Sequence, residues 1–239
     1  MIRALLSTIS FVAATIAGSL AALVAGPFDK SGDLVLVLAR LWSRVILGVP
    51  GVKLKVTMRA RLDPGRPYVF MANHASMVDI WAVFVTIPAS FRFIAKKQLS
   101  RIPLFGWAMA AGRFIFIDRQ NALAARRSME EAARRIRSGQ SVVIFPEGTR
   151  TRTGRLGAFK KGGFHLALDS GVPIVPVAIR GSGEVMPPGS PLIRAGTVTI
   201  EVGEPIPMEG LGTGDRQALI EKVRGRIAAM LAESEEAAA

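Results

Sequence analysis

Two apolar runs separated by a short polar break occupy the first fifty residues. The first run, residues 4–28, carries no charged side chain. As a helix it would be about 37 Å long, against roughly 30 Å of membrane hydrocarbon. This length fits a transmembrane helix, or one half of a helical hairpin that lies in a single leaflet. A cleaved signal peptide is the third interpretation, because Arg3 precedes the run and small residues lie near its end, although the run is long for one.

The second run, residues 34–49, places Arg40 and Arg44 four positions apart and therefore on one face of a helix. On an amphipathic membrane helix these arginines would reach the headgroups while apolar side chains face lipid. The side chains expected to face lipid are Leu36, Trp42, Val45 and Ile46. A helix buried in the protein core gives a similar short apolar pattern and is the alternative. We predict that residues 1–50 form two apolar membrane-anchoring helices, and the sequence leaves open whether they span the membrane or lie flat.

Short apolar runs alternate with helical patterns in the rest of the chain, residues 51–239. The runs that predict strands are KLKVTMRA, YVFMAN, FRFIA, RFIFID, SVVIFP, VPIVPVAI and TVTIEV. Helical patterns cover 121–137, 161–169 and about 215–231, and the C-terminal segment from about residue 213 carries no motif. This alternation predicts one α/β domain with a largely parallel or mixed central sheet flanked by helices. Pro173 and Pro176 indicate that their strand is an edge strand or an irregular one.

Composition restricts the chemistry that this chain can carry. Half of its 239 residues are apolar and 21% are charged, which is typical of a folded domain and excludes a disordered or low-complexity chain. The absence of Cys excludes disulfides, thiolate metal sites and a cysteine nucleophile. Only two histidines, His74 and His165, could supply an imidazole base at neutral pH.

Basic residues are concentrated in the middle of the chain. The formal net charge is +13, and the segment from Arg40 to Lys161 contains 23 basic and six acidic residues. A field of this sign attracts phosphate groups, whether they belong to nucleic acid, anionic lipid, a nucleotide cofactor or an acidic carrier protein. Charge alone does not choose among these partners.

The segment NHASMVD, residues 73–79, directly follows an apolar run, which is where ligands often bind in an open α/β sheet. His74 and Asp79 would lie about 140° apart on one regular helix. They can meet only if His74 lies in the loop and Asp79 in the first helical turn, and the capping-box pattern Ser76-x-x-Asp79 supports that break. The carboxylate would then fix the imidazole tautomer and leave the other ring nitrogen to take a proton. The plainer interpretation is a turn histidine followed by a helix-capping aspartate.

The segment FPEGTR, residues 145–150, also follows an apolar strand pattern. Gly148 permits close approach of the backbone, and exposed amides together with Arg150 could hold a phosphate. The segment lacks the glycine-lysine spacing of a nucleotide-binding loop, so it gives no support to ATP hydrolysis. Taken alone, it could also be an ordinary turn with a solvated basic edge.

Together the two segments resemble the sequence blocks of the glycerolipid acyltransferases, and most closely those of the bacterial 1-acyl-glycerol-3-phosphate acyltransferases. NHASMVD is followed some seventy residues later by FPEGTR. GRFIFIDR looks like the family's middle block, and VPIVPVAI looks like its last block. FIAKKQLSRIPLFG is similar as well, with Lys96 at the position of its basic residue. The likeness covers about residues 40–205, and the apolar N-terminal pair is similar to the family's membrane-anchoring helices.

The resemblance implies direct transfer of an acyl chain from a thioester to the sn-2 hydroxyl of 1-acyl-glycerol 3-phosphate. The product would be phosphatidic acid, an intermediate of phospholipid synthesis. His74 would act as general base on the acceptor hydroxyl, and Asp79 would orient His74 and stabilise its charged form. Backbone amides near His74 or Gly148 would supply the oxyanion donors. No metal and no bound cofactor are expected.

The resemblance also implies a set of substrate-binding positions. They are Lys96, Arg119, Glu147, Gly148, Thr149 and Arg150. Arg150, with help from Lys96 and Arg119, would clamp the phosphate of the acceptor and so place its hydroxyl near the base. Glu147 would help to position the glycerol end.

The expected partners follow from this reaction. The donor would be acyl-coenzyme A or acyl carrier protein, and the sequence does not choose between them. Both donors are acidic and cytoplasmic, whereas the lysophospholipid acceptor lies in a membrane. We therefore expect the chain at the inner membrane of a bacterium with its active domain on the cytoplasmic side, which argues against the signal-peptide interpretation. Anionic membrane lipids are further expected partners, and nucleic acid is not expected.

Other functions compete with this one. The acceptor could instead be lyso-ornithine lipid or glycerol 3-phosphate. A hydrolase using Ser76 with His74 is a second alternative, and a non-enzymatic basic module that binds membranes or nucleic acid is a third. His165 lies inside an apolar helical pattern, which favours a packed or groove-lining side chain over a second base.

Overall fold

Seven strands form one mixed sheet at the centre of the structure, a computed structural model that describes residues 2–118, 121–151 and 155–236. In chain order the strands are β1 Val52–Met58, β2 Val69–Ala72, β3 Phe91–Lys96, β4 Ile115–Ile117, β5 Ser141–Ile144, β6 Ile174–Arg180 and β7 Gly196–Val202. Their spatial order is β1-β7-β6-β2-β5-β3-β4. Neighbouring strands are parallel except for β6 and β7, which pair antiparallel. The expected α/β class with a mixed sheet is confirmed.

Strand β6 agrees with one of the two expectations based on its prolines. It lies inside the sheet, between β2 and β7, and is therefore not an edge strand, but its pairing with β7 is irregular, because the ladder stops at Val177 and resumes only in a single antiparallel bridge between Ile174 and Ile206. Pro176 pairs with Met71 of β2, while its carbonyl accepts the N–H of Gly203 at 2.8 Å, just beyond the point where the β7 ladder ends. The missing N–H of Pro176 therefore falls just outside the ladder between β6 and β7, so that ladder loses no hydrogen bond to it.

Eight helices surround the sheet in the described part of the chain. They are α1 Ile2–Ala25, α2 Asp33–Gly48, α3 Val78–Thr86, α4 Phe105–Ala111, α5 Ala122–Arg137, α6 Lys161–Ser170, α7 Ser182–Val185 and α8 Arg216–Glu236. The three helical patterns downstream of residue 120 correspond to α5, α6 and α8. Helix α5 begins where its sequence predicts, because the Asn121 side chain accepts the N–H of Ala124 at 2.9 Å.

The N-terminal helix α1 has one face on the protein and one face exposed. Ser19 and Ala22 are buried against the neighbouring helices, whereas an apolar stripe at Ile9, Val12 and Ile16 is about half exposed. Among the described helices, residues 7–28 alone are long and apolar enough to cross a membrane, with a mean hydropathy of 2.0. By itself this is weak support for an anchor, because buried core helices and signal sequences pass the same test.

Helix α2 corrects the prediction of a second membrane-anchoring helix. Its 16 residues extend about 24 Å, which is too short to span a bilayer. Leu36 and Ile46, which were expected to face lipid, are buried in the core shared with the sheet, and Trp42 is half-buried. Val45 alone of the four is exposed. The N-terminal region thus contributes one apolar helix of membrane-spanning length rather than two.

Arg40 explains why α2 packs on the protein. Its guanidinium donates to the carbonyls of Phe84, Ile87 and Ala89 at 3.2, 2.8 and 2.8 Å, at the C-terminal end of α3 and just beyond it. These carbonyls would otherwise lack donors, since a helix leaves its last C=O groups without internal partners. Arg40 is therefore committed to closing α3 and does not reach outwards to a headgroup, whereas Arg44 is exposed.

Candidate active site

His74 follows β2, an interior strand whose carboxyl end points the same way as those of β3, β5 and β6. Asn73 fixes the exit of the chain from the sheet. Its buried side chain accepts the N–H of Ile179 at 2.7 Å and donates to the carbonyl of the same residue at 2.8 Å. This asparagine was not singled out from the sequence, where its only signal is its position before His74. It holds the β2 turn rigidly against β6.

His74 and Asp79 meet in the way that their spacing requires. His74 lies in the loop and Asp79 in the first turn of α3, and Nδ1 of the ring is 2.8 Å from Oδ2 of the carboxylate. The same oxygen accepts the N–H groups of Ala75 and Ser76 at 2.8 and 2.7 Å. The Asp79 side chain is fully buried, whereas 12% of the His74 side chain is exposed. With Nδ1 held by Asp79, Nε2 is the nitrogen left to exchange a proton.

Ser76 is buried in the turn and does not line the open cleft around His74. Its hydroxyl donates to the carbonyl of Met186 at 2.8 Å and accepts weakly from the N–H of Val78 at 3.3 Å. The capping-box prediction is half realised, since the Asp79 carboxylate reaches back to the Ser76 amide. A hydroxyl tied to a carbonyl in this way is a structural group, which disfavours a serine nucleophile.

Glu147 is buried, and the backbone occupies both of its carboxylate oxygens. Oε1 accepts the N–H of His74 at 2.8 Å, and Oε2 accepts the N–H of Gly157 at 3.0 Å. Burial raises the pKa of the Glu147 carboxyl, and the two backbone hydrogen bonds act in the opposite direction. Glu147 does not line the cleft. Its observed contacts join the loop after β5 to the loop after β2.

Four of the backbone amides near His74 and Gly148, where the sequence predicted oxyanion donors, already have acceptors. The N–H of His74 donates to Glu147, and the next two amides donate to Asp79. The N–H of Gly148 donates to the carbonyl of Phe145 at 3.0 Å. These amides therefore shape the two loops, and none of them is left over for a developing oxyanion.

Three of the substrate-binding positions predicted from the sequence lie at the same cleft as His74. They are Lys96, Gly148 and Arg150. Gly148 has φ +73°, a left-handed conformation that disfavours other residues, and a Cβ there would meet the Lys160 side chain at 2.9 Å. Thr149 is exposed and does not line the cleft. Arg119 lies outside the described residues.

An apolar cleft of about 370 Å³ extends from His74 into the protein. Its walls come from α1, α2, α3 and α4 and from Phe93, Phe114 and Phe145, and its polar lining includes Thr15 and Ser19 of α1 besides His74, Lys96 and Arg150. Its apolar lining includes Ala22, Val35 and Ala108, which form a small buried cluster of their own. No feature of the sequence revealed this cleft, because its walls come from segments far apart in the chain.

His165 lies away from this cleft. It belongs to α6, and its Nε2 lies 2.9 Å from Nη1 of Arg216 in α8. It does not line the cleft, so the expectation of a packed or groove-lining residue agrees with its position. In the part of the chain that the structure describes, His, Asp and Glu side chains nowhere gather in a group of three or more that could hold a metal ion.

Comparison with known proteins identifies the family. The family model described as Acyltransferase matches residues 53–180, which is more than half of the chain and includes His74, Asp79 and Arg150. The chain belongs to the acyltransferase family. A chloroplastic 1-acyl-sn-glycerol-3-phosphate acyltransferase of Arabidopsis thaliana is 34% identical to the present chain, and the match covers 71% of the present chain. The human 1-acyl-sn-glycerol-3-phosphate acyltransferase beta is 36% identical, and that match covers 72% of the present chain.

The extent of the likeness differs between sequence relatives and structures. This acyltransferase-family chain spans 48% of the length of the plant protein and 62% of the human one. The crystal structure of the 1-acyl-sn-glycerophosphate acyltransferase PlsC from Thermotoga maritima matches it with a TM-score of 0.79 at 26% identity, over 97% of both chains. The shared fold therefore includes the N-terminal helices as well as the α/β sheet.

Proposed function

We propose that this chain transfers an acyl group from a thioester to the sn-2 hydroxyl of 1-acyl-glycerol 3-phosphate and so makes phosphatidic acid. The observation that carries the proposal is the His74–Asp79 pair, placed where an apolar cleft meets two cationic side chains, Lys96 and Arg150. A lysophospholipid and a fatty acyl thioester share this chemistry, with one apolar chain and one phosphate-bearing end. Relatives from a plant, from human and from a bacterium carry names for this activity.

His74 can carry both proton transfers of the proposed step. His74 Nε2 takes the proton of the acceptor hydroxyl as its oxygen attacks the thioester carbonyl. The tetrahedral intermediate then collapses, so that the ester C–O bond is complete, the C–S bond breaks and the thiolate takes the proton from the imidazolium. Asp79 keeps the ring in the tautomer that this exchange requires. Acyl-coenzyme A and acyl carrier protein both remain candidate donors, because each presents the same thioester.

Formation of phosphatidic acid tests the proposal directly. Detergent-purified protein would be supplied with 1-acyl-glycerol 3-phosphate and either donor, and the lipid product identified by mass. We expect the product with at least one donor. If product forms with lyso-ornithine lipid or glycerol 3-phosphate but not with 1-acyl-glycerol 3-phosphate, the proposed acceptor is contradicted. If product forms with none of the three acceptors, acyl transfer itself is contradicted.

Arg150 is proposed to bind the phosphate of the acceptor, with Lys96 beside it. Both line the cleft, and a guanidinium makes charge-assisted hydrogen bonds to phosphate worth about 1.5–3 kcal/mol each. Gly148 stays in the proposed binding set because it lines the cleft, whereas Thr149, which does not line it, and Arg119, which lies outside the described residues, are retained from the family resemblance alone. For Glu147, the contacts support a role in shaping the loops rather than in touching glycerol.

Arg150→Ala is expected to raise the KM for 1-acyl-glycerol 3-phosphate by about 10- to 100-fold, the loss of one charge-assisted contact. A monoacylglycerol acceptor, which has no phosphate, should be affected much less. Steady-state kinetics with both acceptors measure the difference. Arg127→Ala, which removes an exposed arginine of α5, is the matched control and should change neither KM. Equal losses for the two acceptors would show that Arg150 does not bind the phosphate.

The apolar cleft is proposed to hold an acyl chain. Each methylene removed from water contributes about 0.8 kcal/mol, so the cleft would favour chains that fill it. Ala108→Phe places a large ring in its lining. We expect kcat/KM for long-chain thioesters to fall by ten-fold or more, while shorter chains are retained. Ala110→Phe, on the exposed side of the same helix, is the control. An unchanged chain-length profile in Ala108→Phe would exclude the cleft as the acyl site.

Membrane association is proposed on the basis of exposed apolar surface. The outer face of α1, with Val24 73% exposed, adjoins α4, where Trp107 is 53% exposed, and exposed Lys97 and Arg101 lie nearby in the chain. Apolar side chains beside cations fit the boundary between acyl chains and anionic headgroups. Because the proposed donors are cytoplasmic, we place the sheet on the cytoplasmic side of a bacterial inner membrane.

The absence of Cys makes this proposal easy to test with single-cysteine labels. Val24→Cys and Leu123→Cys would each carry a polarity-sensitive fluorophore, the second on an exposed face of α5 far from α1 in the chain. On vesicles containing anionic lipid, we expect an apolar environment at position 24 and water at position 123. A label at position 24 that stays in water would contradict membrane insertion of α1.

A further inference from the structure

Four near-parallel rings run from His74 into the interior. The imidazole stacks on Phe145 with ring centroids 4.0 Å apart and an angle of 16° between the planes. Phe145 stacks in turn on Phe93 at 5.8 Å and 17°, and Phe93 on Phe114 at 6.5 Å and 18°. We call these three phenylalanines the ring stack.

The sheet order produces this arrangement. Phe145 is the residue after β5, and β5 lies between β2, which leads to His74, and β3, which contains Phe93. Phe93 is 6% exposed and therefore fixed by packing. Phe145 is clamped between two rings and has little freedom to turn, so one whole face of the imidazole rests on a rigid phenyl surface.

We propose that Phe145 is a positioning residue that holds the His74 ring flat and favours the imidazolium formed when His74 takes the acceptor proton. This inference rests on the function proposed above. The face of a phenyl ring carries partial negative charge, and it attracts a cation placed over it more strongly than a neutral ring. Asp79 acts on the edge of the imidazole at Nδ1, whereas Phe145 acts on its face.

Four charged groups lie around His74, and an apolar replacement of Phe145 would leave all of them unchanged. Asp79 contacts the ring directly, and the Glu147 carboxylate contacts the His74 backbone N–H. Lys96 and Arg150 line the cleft with it. Replacing Phe145 by another apolar residue leaves all four in place, so a change in the pH dependence of the reaction would report the loss of the phenyl face.

The experiment compares kcat/KM as a function of pH for the wild type, Phe145→Leu and Phe145→Tyr. A general base acts in its neutral form, so kcat/KM rises with pH along an acidic limb. Without the phenyl face the imidazolium is less favoured, and in Phe145→Leu we expect this limb to move to lower pH. We also expect the plateau to fall by about 3- to 30-fold, the range that a cation–π contact of this kind supports. Phe145→Tyr keeps the ring and should keep the limb.

Phe159→Leu is the matched control, because it removes a half-buried ring that stacks on Phe164 and does not line the cleft. A structural effect alone would lower activity in both leucine variants without moving either limb, and that result overturns the inference. If Phe145→Leu does not fold, Phe145→Met carries the same test. His74→Ala separates the two proposals, since full activity in that variant would contradict the proposed function, whereas an inactive His74→Ala with an unmoved limb in Phe145→Leu contradicts the role of Phe145 alone.

Discussion

His74→Ala is expected to lower kcat for acyl transfer by about 10² to 10⁴, the usual contribution of a positioned general base. The alanine variant keeps the cleft and the cations, so it should still bind both substrates. It should also fold, because the His74 side chain contacts Asp79 and Phe145 but carries no part of the sheet ladder. The effect should therefore appear in kcat rather than in KM.

Initial rates of product formation with saturating donor and acceptor measure this prediction. His165→Ala is the matched control, because it removes the other histidine of the chain at a site outside the cleft. Its rate should stay within a few-fold of the wild type. Comparable losses in the two variants would show that imidazole chemistry at residue 74 is not what drives the reaction.

Asp79→Asn should produce a loss of similar size by a different route. One oxygen of Asp79 accepts from His74 Nδ1 and from the amides of Ala75 and Ser76. An Asn oxygen in the place of Oδ2 could accept from the same three donors, but it carries no negative charge to stabilise the imidazolium, and the NH₂ group would replace Oδ1, a buried oxygen with no hydrogen-bond partner among the described residues. The Asn side chain can also hold the imidazole in the wrong tautomer, with Nε2 carrying the proton. We expect kcat to fall by about 10² to 10⁴.

The same substitution should also destabilise the protein by about 1–3 kcal/mol, because it leaves a buried donor unsatisfied. Denaturant unfolding gives that cost, and kinetics on the folded fraction give the catalytic loss. Asp169→Asn, at an exposed acid of α6, controls for the change of charge and should alter neither quantity. An Asp79→Asn variant that is less stable but equally active would assign Asp79 to the helix turn alone.

The parts of the fold that depend on neighbouring residues could be predicted from the sequence. Strand positions followed from short apolar runs, and the start of α5 followed from Asn121. The meeting of His74 and Asp79 was also predictable, because residues five apart can meet only where a loop changes into a helix between them, and Ser76 marked that change. In each of these cases the physical cause lies within a few residues of its effect.

Features made by distant segments could not be read in this way. Glu147 contacts His74 because β2 and β5 are neighbours in the sheet, and strand order is not encoded in local periodicity. The ring stack depends on the same order, since it joins residues from three separate segments. The apolar cleft depends in addition on how α1 and α4 pack on the sheet.

Helix α2 shows why the second anchor was wrongly predicted. An apolar run with two arginines on one face has the same pattern whether the arginines meet headgroups or helix carbonyls. What decided the outcome was the free C-terminal end of α3, which offers its carbonyls to Arg40. Nothing in residues 34–49 indicates that such acceptors lie nearby.

The most direct test of the central claim is release of free thiol from acyl-coenzyme A by the wild-type protein, with and without 1-acyl-glycerol 3-phosphate. With no Cys in the chain, every thiol detected comes from the donor. We predict release that requires the acceptor and equals the phosphatidic acid formed, with acyl carrier protein as the donor if coenzyme A is not used. Equal release without acceptor would identify a thioesterase instead and would contradict acyl transfer.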